Sequence, residues 1–158
     1  DSIVDGRGIR LTVFTQGCPH HCPGCQNPAT HDFSGGRRVE IAALFEEIRE
    51  NPLLRGVTFS GGEPFCQPGP LAELGRRIHA ETKLDITVFT GYTWEQLQML
   101  PGARALLEQT DVLIDGRFVQ EEKDLSLRFR GSRNQRVIDV PRSLAAAQPV
   151  LLGAEDGY

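Results

Sequence analysis

Two hydrophobic periods alternate along the chain. Ile9 to Thr15 (IRLTVFT) is rich in β-branched and aromatic residues and predicts a first strand. Ile41, Leu44, Phe45 and Ile48 then fall at i, i+3, i+4 and i+7, one face of a helix that Asn51-Pro52 stops. Val57 to Ser60 predicts a second strand, followed by a Gly/Pro-rich loop. Pro70 suits the first turn of a helix whose Leu71, Leu74 and Ile78 share a face. Ile86 to Thr90 is a third strand. Thr93 and Gln96 form a capping box for the next helix, with Trp94 and Leu97 turned inward. Pro101-Gly102 breaks that helix and Ala103 to Gln109 resumes it. Asp111 to Ile114 predicts a fourth strand and Val137 to Val140 a fifth.

Strands alternating with helices imply βαβ units and a mostly parallel sheet in an α/β fold. The 158 residues suit one domain. A complete eight-fold barrel takes about 250 residues, so the expectation is a partial (βα) barrel or a small open sheet. The run Ala145-Ala146-Ala147 and Pro149 suggest that residues 1–140 form the domain and 141–158 a loosely packed tail. The chain starts at Asp1 without a methionine, which leaves upstream residues, a removed leader among them, open.

Composition narrows the function classes. A hydrophobic fraction of 39% with 24% charged residues argues for a folded globular chain. A net charge of −4 makes no case for nucleic-acid binding, and no stretch approaches the apolar length of a membrane span. Seventeen glycines point to tight turns or close approaches of backbone to ligand. Of the four cysteines, Cys18, Cys22 and Cys25 crowd into one loop, which suits a metal or cluster site in a reducing, hence cytoplasmic, compartment better than a disulfide framework.

The unusual residues share one end of the sheet. The cysteine loop follows strand one, Ser60-Gly61-Gly62-Glu63-Pro64 strand two, Thr90-Gly91-Tyr92 strand three and Asp115-Gly116-Arg117-Phe118 strand four. Carboxyl ends of parallel strands are where α/β folds place their sites. Cys18-x3-Cys22-x2-Cys25 offers three thiolates, stiffened by Pro19 and Pro23, while Gly24 leaves space beside Cys25. A cubane held by three cysteines keeps one iron open to a ligand. A zinc site completed by Cys66, His20, His21 or His31 is the competing reading. Gly61-Gly62 frees backbone groups for a ligand, and Glu63 adds an acceptor for an ammonium group; a tight strand-to-helix turn is the plainer alternative.

The CxxxCxxC loop paired with a GGE turn resembles the radical S-adenosylmethionine superfamily. Within it, Asp5-Gly6-Arg7-Gly8-Ile9-Arg10, Gly17-Cys18, Cys22-Pro23-Gly24-Cys25-Gln26-Asn27, Thr90-Gly91-Tyr92, DGRFVQ (115–120) and RGSRNQ (130–135) resemble the anaerobic ribonucleoside-triphosphate reductase activating proteins. Gly24 favours that subfamily over the pyruvate formate-lyase activators. The resemblance implies a [4Fe–4S] cluster on Cys18, Cys22 and Cys25, with S-adenosylmethionine near Gly24, Cys25, Gln26, Gly61, Gly62, Glu63, Thr90 and Asp115. It implies an activase that cleaves S-adenosylmethionine reductively and uses the 5′-deoxyadenosyl radical to make a glycyl radical on the large reductase subunit. The implied partners are that subunit and a low-potential electron donor such as flavodoxin or ferredoxin. The alternatives are an activator of another glycyl radical enzyme and a non-enzymatic zinc module.

Three further features carry weaker expectations. Arg128, Arg130, Arg133 and Arg136 form an acid-free run that either meets a carboxylate or acidic partner or is simply solvated. DGRFVQ and RGSRNQ are expected to help dock the reductase's glycine loop. Cys66 is expected to be a small buried residue and His79 structural.

Overall fold

The computed structural model describes residues 8–15, 41–124, 127, 130–153 and 158. Among the described residues, five strands follow in chain order: β1 (Arg10–Thr15), β2 (Gly56–Gly61), β3 (Asp85–Phe89), β4 (Val112–Asp115) and β5 (Arg136–Asp139). They lie in the sheet in that same order, β1-β2-β3-β4-β5. The first four are parallel, with Leu11 beside Val57, Val57 beside Ile86 and Val88 beside Leu113. β5 runs antiparallel to β4, with Leu113 beside Ile138. The fold is therefore α/β with a mostly parallel, open sheet.

The helices are α1 (Ile41–Glu50), α2 (Pro68–Glu81), α3 (Trp94–Met99), α4 (Ala103–Leu107) and α5 (Val140–Ala146). Right-handed crossovers between sequential parallel strands stack helices on one face. One cluster accordingly joins Val57, Phe59, Ile86, Val88, Leu113 and Ile138 to Ile48, Leu74, Ile78, Leu97, Leu106 and Val140. The capping box of α3 is present: Thr93 Oγ1 accepts from Gln96 N at 3.1 Å, and Gln96 Oε1 accepts from Thr93 N at 2.9 Å.

Of the residues expected to form a loose tail, 141–146 continue a capped helix and 150–152 hydrogen-bond along the sheet. Asp139 caps α5 by accepting from Arg142 N at 3.0 Å, Pro141 sits in its first turn, and Val140 and Ser143 are buried. Residues 150–152 then return along β5, with Asp139 N donating to Val150 O and Leu152 N to Val137 O, each at 2.8 Å. Leu152 and Tyr158 pack on the opposite sheet face against Val112, Ile114 and Val137.

That second face carries a charge the hydrophobic pattern does not reveal. Arg10 is 0% exposed and crosses β2 toward β3 at the amino-terminal end of the strands. Its guanidinium donates to Thr58 Oγ1 at 2.8 Å, Val57 O at 3.0 Å and Thr87 Oγ1 at 3.1 Å, and pairs with Asp85 at 2.5 Å. Several donors satisfied at once are what make a buried guanidinium tolerable.

Candidate functional site

The carboxyl ends of the parallel strands are tied into a hydrogen-bonded rim. It begins where β1 ends: Gly62 N donates to Thr15 O at 2.7 Å, and Thr15 Oγ1 donates to Ser60 O at 3.1 Å. Gly61 has φ +92°, and a Cβ there would lie 2.6 Å from Thr15 O, so both conformation and space demand glycine. The peptide bearing the cysteines follows Thr15 in sequence. Cys18, Cys22, Cys25, Gly24 and Gln26 lie outside the described residues, as do His20, His21 and His31. Among the described residues, no cluster of His, Cys, Asp and Glu could hold a metal ion.

Glu63 carries the rim from β2 to β3. It is 0% exposed. Its Oε2 accepts from Phe65 N at 3.0 Å, capping a short 3₁₀ turn over Pro64–Cys66, and from Thr90 Oγ1 at 2.7 Å. Its Oε1 accepts from Gly91 N at 2.7 Å. Thr90 Oγ1 in turn accepts from Tyr92 N at 3.1 Å. Gly61, Gly62, Glu63 and Thr90 are thus brought together.

Asp115 continues the rim on β4, where Gly116 N donates to Tyr92 O at 2.8 Å. The Asp115 carboxylate, 1% exposed, accepts from Trp94 N at 2.8 Å at the start of α3 and pairs with Arg136 at 2.5 Å. Arg136 also reaches Glu95 at 2.7 Å. Hydrogen bonding to Asp115 first, then to Glu95, holds the Arg136 guanidinium above its usual range, and Arg136 draws Glu95 below the usual carboxylate range. Asp115 is therefore engaged by α3 and β5.

The 130–135 segment clasps the 115–120 segment. Gln135 Nε2 donates to Gly116 O at 3.0 Å, and Asn134 Nδ2 donates to Arg117 O at 2.7 Å. Val119 N donates to Ser132 Oγ at 3.2 Å, and Arg130 Nη1 donates to Gln135 O at 2.6 Å. Ser132, Asn134 and Gln135 thus act on their own backbone neighbours; Arg117 and Arg133 are exposed residues.

Cys66 is exposed, contrary to the expectation of a buried residue, because the 3₁₀ turn buries Pro64 and Phe65 and turns the next side chain outward. Partial shielding from water and the neighbouring Glu63 charge push its thiol pKa up against a hydrogen bond from Tyr92. Sequence reasoning missed the Asp115–Arg136 pair, whose partners are distant in the chain.

Residues 4–138 match the family described as a 4Fe-4S single cluster domain. An anaerobic ribonucleoside-triphosphate reductase-activating protein of Vibrio cholerae is 39% identical over 143 residues, covering 84% of this chain and 89% of that one. Its Escherichia coli K12 counterpart is 37% identical over 142 residues, covering 85% and 91%. That of Enterobacteria phage T4 is 31% identical over 141 residues, covering 85% and 86%. The chain belongs to the family of anaerobic ribonucleoside-triphosphate reductase-activating proteins. Membership supports an iron–sulfur cluster over the zinc alternative. The soft donors fit that group, since the cysteine run of this reductase-activating family member offers three thiolates. The glycine turn beside the root of that run lies directly against the end of β1, with Thr15 O 2.6 Å from where a Gly61 Cβ would stand.

Proposed function

We propose that this protein is an activase that generates a glycyl radical on anaerobic ribonucleoside-triphosphate reductase. One observation carries the reading: the Gly61–Gly62 turn is hydrogen-bonded to the end of β1, from which the three-cysteine run departs, in a chain of this family. Cys18, Cys22 and Cys25 would hold a [4Fe–4S] cluster with one iron left for S-adenosylmethionine, and Gly24 and Gln26 would flank it. When bound, the cluster would pass one electron, received from a low-potential donor such as flavodoxin or ferredoxin, to S-adenosylmethionine, whose cleavage to methionine and a 5′-deoxyadenosyl radical would supply the acceptor for a hydrogen atom of the target glycine.

The chain's own residues orient and exclude. The part-exposed backbone of Gly61 and Gly62 meets the methionine end. Thr90 and Asp115 brace the strand ends behind it. Strands in chain order with helices on one face suit a partial barrel of the radical S-adenosylmethionine type, and its open side would admit a protein loop. The clasped 115–120 and 130–135 segments, with exposed Arg117 and Arg133, would dock that loop close to the radical, because hydrogen transfer needs near-contact geometry. The activity belongs in the cytoplasm, where thiolates stay reduced.

The test mixes anaerobically reconstituted, reduced protein with S-adenosylmethionine and the large reductase subunit. A glycyl-radical doublet in the electron paramagnetic resonance spectrum is expected. Zinc without sulfide in the purified protein, or no radical with a fully loaded cluster, would overturn the reading.

A further inference from the structure

The geometry points to Glu63 as a positioning residue rather than the acceptor for a ligand's ammonium group, an inference that rests on the cofactor reading above. A side chain that recognises a ligand must be accessible to it, and Glu63 is 0% exposed. Its carboxylate is aimed along the rim. One oxygen takes the Thr90 hydroxyl at 2.7 Å and the Phe65 amide at 3.0 Å, and the other takes the Gly91 amide at 2.7 Å. Charge-assisted bonds of this length hold geometry well.

Those bonds cross from the turn after β2 to the loop after β3, past the end of the β2–β3 ladder, which stops at Phe59–Val88 although β2 runs on to Gly61. Beyond it, Glu63 replaces the missing backbone bonds and fixes Gly61 and Gly62 relative to Thr90 and Gly91. On the other side, Gly62 is fixed to Thr15. The glycine pair is held from both flanks, and its part-exposed backbone is what the turn presents to a ligand. Thr90 belongs to the same strut, since its hydroxyl both donates to Glu63 and accepts from Tyr92 N.

The experiment measures anaerobic calorimetric affinity of cluster-loaded protein for S-adenosylmethionine and for its desamino analogue, which keeps the carboxylate and lacks the ammonium group. Glu63→Gln, Thr90→Val and Thr90→Ser are compared with wild type. A strut predicts that Glu63→Gln and Thr90→Val weaken both ligands by the same factor, about tenfold for one lost charged hydrogen bond. Thr90→Ser, which keeps the hydroxyl, restores affinity. Loss confined to S-adenosylmethionine would overturn the inference in favour of direct ammonium contact. Unchanged affinities with a lowered melting temperature would overturn it in favour of a purely structural role. Should Glu63→Gln fail to fold, the near-isosteric Thr90→Val gives the same discrimination. Wild-type protein with a full cluster that binds neither ligand would instead overturn the cofactor reading, and this inference with it.

Discussion

Adding one methyl group at Gly56 tests the buried arginine. An ideal Cβ at Gly56 would overlap Asp85 Oδ1 and stand 2.5 Å from Arg10 Nη1. The Arg10 side chain is fully buried and cannot swing away, so Gly56→Ala must displace the Arg10–Asp85 pair. Removing one partner of a buried pair costs about 3–5 kcal/mol. Asp85 is 44% exposed and water offsets part of that loss, so the expected cost is about 2–3 kcal/mol. For a domain of this size that lowers the melting temperature by about 5–10 °C. Gly69→Ala is the control: nothing lies within 4 Å of its Cβ, and it sits in the first turn of α2. It should be neutral or stabilising by up to about 0.5 kcal/mol. Urea titration of both variants, repeated in an Arg10→Met background, provides the measurement. There the Gly56→Ala cost should fall below about 1 kcal/mol, because the two sites are coupled through one guanidinium. Wild-type stability in Gly56→Ala, or an undiminished cost without Arg10, would refute the assignment.

Other expectations follow from the same contacts. His79 bridges Asp111 at 2.9 Å and Gln109 at 3.1 Å, and the Asp111 hydrogen bond, opposed by burial, raises its pKa. A raised folded pKa contributes stability that is full below about pH 6.5, the unfolded value, and lost as pH rises through the folded value; urea midpoints of wild type should therefore fall across that range while those of His79→Gln stay flat. Single Cys→Ser changes at Cys18, Cys22 or Cys25 should each strip iron and sulfide, whereas Cys66→Ser should retain both; cluster loss from Cys66→Ser would show that three ligands are not enough. Gln135→Ala removes the donor to Gly116 O and the acceptor for Gly131 and Ser132 N, and should destabilise by about 1–3 kcal/mol, while Arg133→Ala should leave the melting temperature unchanged and lower glycyl-radical yield. Equal melting temperatures for Gln135→Ala and wild type would remove the clasp.

Local signals in the sequence carried far. The periods of β1 to β4 and of α1 and α2, and the Thr93–Gln96 box, depend on near neighbours and appear where expected. The helix around Pro141 has a local signal too: Asp139 followed by Pro141 is a cap with proline in the first turn, which the alanine run after it obscures. The antiparallel sense of β5 was also open to inference, since no helical pattern separates it from β4 to make a crossover. Arg10 was not legible, because its partners Thr58, Thr87 and Asp85 lie 48 to 77 residues away or are fixed only by strand register. At the site, residue types marked Gly61, Glu63, Thr90 and Asp115, but not what they do. An acidic residue after two glycines looks the same whether it faces a ligand or a neighbouring loop. Only burial and three donors on one carboxylate separate the two.

The order of the strands also bears on how the chain assembles. Because the sheet repeats the order of synthesis, each new strand meets a partner that has already emerged from the ribosome, and the sheet can grow by accretion from β1 toward β5. Each parallel pairing closes only the loop between consecutive strands, which keeps the entropic cost of every step local. The pairing of β1 with β2, which flanks the cysteine run, forms first on this route. The clasp that joins the last two motifs forms last.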